Sequence, residues 1–207
     1  MTTNTDTPFG LKPIKHKGGA PYNGAFNPYL IPASDSQAMF IGDVVLKTTT
    51  ANAARVQAPE AGTFEIGTLP QCIRATVGTT ERITGVIVGF APDPDGLGRT
   101  HRLASTERIA YVCDDPDMMF EVQGEGTVAA TDMGLNAVLI YTHAGSAVTG
   151  RSGAEFDCGT TTAMATTVGF QLCLHRLANR PDNFIGANAK VLVTINTHTE
   201  VNASTGI

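Results

Sequence analysis

The sequence predicts an all-β fold, an antiparallel sandwich or jelly-roll-like barrel preceded by an extended N-terminal arm, and three observations predict it. Charged residues make up only 16% of the protein while glycine numbers 22, a balance that suits strands joined by tight turns better than amphipathic helices with charged outer faces. From Met39 onward the sequence breaks into short apolar segments rich in Val, Ile, Phe and Thr, bounded by Gly, Asp, Pro or Asn. Before that, Pro8, Pro13, Pro21, Pro28 and Pro32 punctuate the leader, each removing an amide donor and biasing its preceding residue away from helix. With 207 residues, 42% of them hydrophobic, the protein is long enough to bury a core without staples.

Residues 1–38 are therefore read as an arm and residues 39–207 as the β body. The arm is too apolar for a solvated tail, since Phe9, Leu11, Ile14, Tyr22, Phe26 and Tyr29 recur along it. Ordering an extended segment costs ~1–2 kcal/mol per residue, so it needs a surface to lie on. A groove on its own body is one such surface; the expected one is at least in part another subunit. In the body, "MFIGDVVLKT", "FEIGTL", "CIRATV", "ITGVIVGF", "RIAYVCDD", "MMFEVQ", "NAVLIYTH", "VGFQLCLHRL" and "AKVLVTINTH" each read as a strand. Ser105 offers a cap for a short helix, but Ile109, Tyr111 and Cys113 alternate, which favours a strand. In the last segment Val191, Val193 and Ile195 share one face and Lys190, Leu192, Thr194 and Asn196 the other, the pattern of a half-buried strand. Residues 49–60 and 145–166, dominated by Ala, Thr, Gly and Ser, read as loops or weak edges.

The net charge of −5 and a pI near 5.4 argue against a general nucleic-acid surface, which needs a concentrated cationic face. Charge is uneven along the sequence: Lys12, Lys15 and Lys17 against Asp6 give residues 1–32 a net +2 and leave −7 for the rest. A basic arm ahead of an acidic body is suited to an acidic surface, on this body or on a neighbouring copy. Cys72, Cys113, Cys158 and Cys173 form no CxxC pair, so buried, reduced thiols are expected. With neither a charged-then-apolar leader nor an apolar run of roughly 18 residues, synthesis in a reducing cytoplasm and no membrane span are expected.

Motifs for chemistry are few. Asp114, Asp115, Asp117 and Glu121 in "CDDPDMMFEV" form an acidic group that suits Ca²⁺, Mg²⁺ or an acid–base pair, yet Asp-Asp-Pro-Asp between two strands is ordinary turn chemistry. "APDPDGLGRT" offers Asp93, Asp95 and Gly96, but Ala91 and Arg102 occupy the positions where a calcium loop needs carboxylates, so an exposed loop is expected. His16, His101, His143, His175 and His198 are dispersed, with no HxH or HExxH spacing, and GxSxG, GxGxxG and P-loop patterns are missing. Asn202-Ala203-Ser204 fits a glycosylation sequon, which matters only on secretion. Arg176 and Arg180 bracket a turn built on Pro181, Asp182, Asn183 and Gly186, and arginine forks suit carboxylates across an interface or within the domain.

The order "TPFGLKPIKHKGGAPYNGAFNPYLIPASD", "MFIGDVVLKT", "ITGVIVGF", "AYVCDDPDMMFEVQ", "ATDMGLNAVLI" and "RPDNFIGANAKVLVTINTH" resembles the capsid decoration, or cement, proteins of tailed bacteriophages over nearly the whole sequence. The resemblance implies a β-rich virion protein on the capsid exterior. It would bind the outer surface of the assembled major capsid protein lattice as a dimer or trimer, the trimer being expected, and carry no catalytic residues, metal or cofactor. On this reading Phe9, Leu11, Pro13, Ile14, Tyr22, Phe26 and Tyr29, with Arg176 and Arg180, are the partner-binding residues. They would grip capsid protein or a neighbouring copy, with no direct contact to nucleic acid or membrane. Two rival readings stay open: a β-sandwich metal-dependent hydrolase using the Asp114–Asp117 group and a distant histidine, and a glycan-binding fibre or receptor-binding module using residues 91–102 and 145–160.

Overall fold

The computed structural model describes residues 4–58, 60, 62–93, 96, 98–201 and 206; the sequon at 202–204 and parts of the 91–100 loop lie outside them. The fold is built from strands: β1 (Lys12–His16), β2 (Asn27–Ile31), β3 (Val44–Ala51), β4 (Val56–Ala58), β5 (Gly62–Phe64), β6 (Pro70–Arg74), β7 (Gly85–Phe90), β8 (Arg108–Cys113), β9 (Met118–Glu125), β10 (Thr127–Val128), β11 (Asn136–Ala137), β12 (Leu139–Ile140), β13 (Glu155–Asp157), β14 (Leu172–Leu177), β15 (Gly186–Ala187) and β16 (Lys190–Ile195). Five of them close a barrel in the order β2-β6-β3-β7-β8, and a seven-stranded sheet runs β11-β14-β16-β9-β13-β12 with β1 laid along β9. Most pairs are antiparallel; β13 on β9 and β2 on β6 are parallel.

Side-chain alternation assigns each strand face to a layer. Val45, Ile87, Ala110 and Val112, with Tyr29 and Ile31, fill the barrel interior. Val44 and Val86 face outward from the barrel and meet Phe120, Val122, Val191, Val193 and Ile195 of the sheet in the main core. The face predicted for Val191, Val193 and Ile195 is thus the core face. The opposite face of β16 is nevertheless also covered, with Lys190, Leu192 and Thr194 each buried, because β16 is central in its sheet and Ile14 and Ala178 pack over Leu192.

The expected arm over residues 1–38 is corrected, and with it the boundary before Met39. β1 pairs with β9 from Lys12 opposite Glu121 to His16 opposite Met118, and β2 pairs with β8 along its whole length. Leu11 and Tyr29, expected as partner anchors, are buried in the protein's own cores, so they are not offered to a partner. The leader enters the fold where its backbone crosses that of Gly42: Leu11 N–H donates to Gly42 O at 2.9 Å. Gly10 (φ +75°) and Gly42 (φ +98°) leave no room for a Cβ, which would lie 2.6 Å from Gly42 O and 2.7 Å from Phe9 O respectively. Pro13 fits because β1 is an edge strand.

Residues 32–38 are held by an arginine that sequence reasoning passed over. Arg102 is 0% exposed, and its guanidinium donates to the carbonyls of Pro32 (2.9 Å), Asp35 (2.8 Å), Gln37 and Thr106 (2.7 Å), with the Asp35 carboxylate 3.6 Å away. Burial pulls its pKa down and the Asp35 charge opposes that. Other expectations shift locally. "FEIGTL" contributes only Phe64 to a strand, residues 56–58 and 155–157 are strands inside expected loops, and Arg108–Cys113 is a strand as expected. Asp157 orders the turn after β13, accepting from the amides of Gly159 (2.9 Å), Thr160 (2.7 Å) and Thr161 (3.1 Å). All four cysteines are free; Cys72 and Cys113 are buried, while Cys158 and Cys173 are half-buried. No helix among the described residues is long and apolar enough to cross a membrane.

Replacing Arg102 with methionine strips several buried carbonyls of their donors at once and is expected to cost about 3–5 kcal/mol, read as a fall in the urea midpoint at unchanged slope; a loss under about 1 kcal/mol contradicts the clamp.

Candidate partner-docking face

The strand register across β1, β9, β16 and β14 sets Lys12 opposite Glu121, Glu121 opposite Leu192, and Leu192 opposite Arg176. Directly paired residues point to the same face, so these four form one row on the sheet side away from the barrel, with about 14 Å between its ends at the usual strand spacing. The middle of the row is covered, by the small cluster of Ile14, Met119, Ala178 and Leu192, and its two ends, Lys12 and Arg176, are exposed. Arg180 reaches over the row. It donates to Glu121 Oε1 at 2.9 Å and to both oxygens of Asp182 at 3.0 and 2.9 Å. The hydrogen bonds to Asp182 and then Glu121 push its pKa up. The intradomain alternative for Arg180 is therefore what the structure shows, with Glu121 and Asp182 as partners rather than the Asp114–Asp117 turn.

Arg176 and Lys12 have no such partner: among the described residues neither makes an ion pair. The same face carries Lys17 and His175, whose Nε2 lies 2.9 Å from Thr194 Oγ1. Burial lowers the His175 pKa, and the charges of Lys17 and Arg176 lower it further. Strand pairing has gathered cations from both ends of an acidic protein onto one sheet face.

Beside this row lies a groove of about 610 Å³ walled by the N-terminal segment and the turn after β14, with Phe9, Arg180, Pro181, Asp182, Phe184 and Lys190 along it. Both walls are fixed by hydrogen bonds. Asn4 Nδ2 donates to Phe184 O (2.8 Å) and Ala187 O (2.7 Å), and its Oδ1 accepts from Phe184 N–H (2.9 Å). Buried Asn183 donates to Ala178 O and Lys190 O and accepts from Lys190 N–H. Phe184 and Ile185 remain 42% and 46% exposed.

A series of polar groups holds the N-terminal segment from below. Buried Gln123 donates to Asp6 Oδ1 (2.7 Å) and Glu155 Oε1 (2.8 Å) and accepts from Thr7 N–H (3.1 Å). His143 Nδ1 lies 2.7 Å from Glu155 Oε2, and its Nε2 4.0 Å from Asp6 Oδ2. Asp6, His143 and Glu155 place one ligand atom each within 4.8 Å of one another, the combination of donors that divalent cations take; a cation there would have to displace the proton shared between Nδ1 and Oε2. The hydrogen bond to Glu155 raises the His143 pKa, and burial raises that of Glu155. The aspartates of the Asp-Asp-Pro-Asp turn have structural partners. Asp114 accepts from Asn27 and Tyr29, while Asp115 accepts from Asp117 N–H at 2.7 Å and pairs with His16 at 3.2 Å.

Of the expected partner residues, Phe9 and Arg180 meet at the groove and Ile14 and Arg176 on the neighbouring face, while Pro13, opposite Phe120, lies on the core side of the sheet. Tyr22 is half-buried against the main core. Phe26, 48% exposed, lies away on the barrel with its ring 4.4 Å from that of Tyr111. Lys190, Phe184 and Gln123 were missed: Lys190 read as an ordinary polar-face residue of a strand, and nothing local marked the other two. A second cavity of about 630 Å³ lies between the β4–β5 hairpin and the barrel beside residues 91–93 and Arg99; the guanidinium of Arg108 there is taken up by the carbonyls of Ala91, Arg99 and His101. No family model matches this protein, and no curated protein or solved structure is significantly similar to it.

Two outcomes follow from the paired groups. A His143 pKa raised in the fold contributes stability that is complete below the unfolded value of about 6.5 and fades as pH rises through the folded value. The melting temperature lost on His143→Gln is therefore expected to be larger at about pH 6 than at about pH 9, and a pH-independent loss contradicts the pairing. Arg180→Met uncovers a buried carboxylate whose partner was itself 40% exposed, so after allowance for solvent screening about 1–2 kcal/mol is expected in chemical denaturation.

Proposed function

We propose that this protein is a structural virion component that binds the outer surface of the assembled major capsid protein lattice of a tailed bacteriophage and stabilises the shell, acting without catalytic chemistry and as a homotrimer. The resemblance of its segments to capsid decoration proteins suggests the partner. The observation that carries the reading is the exposed pair Lys12 and Arg176, aligned on one face by strand register in a protein whose net charge is −5. Such a face complements an acidic protein surface. Repetition over a lattice makes a small interface per copy sufficient, because each additional contact of an oligomer is made at high effective concentration.

The hydrolase reading would need the Asp114–Asp117 carboxylates free, and two of them are committed to β2, His16 and their own turn. A covered sheet with charged ends, by contrast, needs no cleft to work.

The test is co-sedimentation of the purified protein with empty expanded capsids of the cognate lattice. Saturation at a lattice-defined ratio is expected. Lys12→Glu with Arg176→Glu, both at exposed positions that leave the core intact, should weaken binding about a hundredfold or more, about 1.4 kcal/mol for each tenfold, and added salt should weaken the wild type. No binding at any salt, or unchanged binding by the charge-reversed protein, overturns the reading.

A further inference from the structure

His198 is a buried titratable group with one ring nitrogen left over. It is 0% exposed. Its Nδ1 accepts from Glu200 N–H at 3.1 Å, so the neutral ring carries its proton on Nε2, and Nε2 is buried without a hydrogen-bond partner among the described residues. The residue stands on the segment that leads from β16 back to the barrel, paired in parallel with Ile83. Thr199 N–H donates to Ile83 O (3.0 Å) and Ile83 N–H to Thr197 O (3.2 Å); Thr197 Oγ1 donates to Glu81 O (2.7 Å) and Thr199 Oγ1 to Thr84 Oγ1 (3.2 Å). Thr84 in turn is bonded into β3 through Val45 O and Lys47 N–H. A short stretch of chain thus ties the sheet to the barrel, with an imidazole sealed at its middle.

We propose that residues 197–201 are an acid-released latch between sheet and barrel: a proton taken up by His198 opens the segment from Ile83 and Thr84 while the two cores behind it stay folded. Protonation turns Nδ1 from an acceptor into a donor, so the bond from Glu200 N–H is lost and two donors instead of one face a site closed to water. A charge so placed is costly to bury, and opening a segment held by a few hydrogen bonds is a smaller event than unfolding either core. The groups around the ring set the direction. Glu200 on its own segment and Asp114 in the turn after β8 favour the imidazolium, as do the carbonyls of Thr84 and Asp114; burial outweighs them and holds the ring's pKa below its ordinary value. Asp114 is itself engaged by Asn27 and Tyr29 of β2, and its neighbour Asp115 pairs with His16. A folded pKa below the unfolded value of about 6.5 gives stability that is complete above that value and lost as pH falls through the folded one. The latch stands apart from the docking reading and neither needs nor supports it.

The experiment follows the ¹⁵N-labelled full-length protein by NMR from about pH 7.5 down to about pH 5. It measures the ring titration of His198 and the solvent exchange of the Ile83 and Thr199 amides, corrected for the pH dependence of intrinsic exchange. The opening constant at these two amides is expected to rise toward about tenfold for each pH unit below about 6.5, with the amides of β9 and β16 staying protected. His198→Asn, whose side-chain oxygen can still accept from Glu200 N–H but takes up no proton, should hold the latch closed across the range, which separates this ring from His16, His143 and His175. If that variant fails to fold, the wild-type comparison of ring titration with amide opening still decides. A His198 ring that titrates at or above about 6.5 with both amides protected, an opening constant unchanged with pH, or the same pH dependence in His198→Asn overturns the proposal. Each outcome is read on the isolated protein and leaves capsid co-sedimentation unaffected, so the two ideas fail separately.

Discussion

The pairing of Met118–Glu125 along both of its edges is the constraint on which the rest of the structure depends. Lys190–Val193 takes one edge; Lys12–His16 and Phe156–Asp157 share the other. A strand so placed satisfies its backbone within the protein and is buried on both faces. Its inner side chains, Met118, Phe120 and Val122, then close the main core against the barrel, and its outer ones, Met119, Glu121 and Gln123, become the floor on which the N-terminal segment rests. Glu121 and Gln123 are buried and polar, and both are matched, by Arg180 and by Asp6 with Glu155.

This arrangement turns a leader into a structural part. Its first strand completes the sheet and its second completes the barrel, so residues 12–31 belong to both halves of the molecule. The Gly10–Gly42 crossing and the Arg102 clamp hold the leader at either end of that span. The proposed docking face inherits the result, because Lys12 near the N-terminus and Arg176 far along the sequence come to lie in one row only through register.

How much of this was legible beforehand follows from what each signal reports. Alternation in Lys190–Ile195 named the core face correctly, because burial of one strand face is local in sequence. It could not show that Leu192 and Lys190 would be covered too, since the cover over Leu192 comes from Ile14 and the turn at Ala178, neither of them adjacent in sequence. The leader's aromatic and aliphatic residues were rightly read as needing a surface, yet the surface is their own body: β-pairing between segments so far apart leaves no periodic trace. Arg102 sits in a polar stretch and looks like a surface residue until carbonyls converge on it. The Asp-Asp-Pro-Asp turn was readable because turn chemistry is local. The groove was only half readable: Phe9 and Arg180 drew attention, while Lys190 and Phe184 did not.

Whether the sheet face bearing Lys12 and Arg176 is the docking surface proposed for it is tested most directly by electron cryo-microscopy of tailed-phage particles assembled with this protein. The expected result is the protein on the outside of the shell, with that face and the groove beside it turned down onto acidic capsid protein and the barrel turned outward. Particles that carry it with the face open to solvent, or shells that carry none of it, contradict the claim.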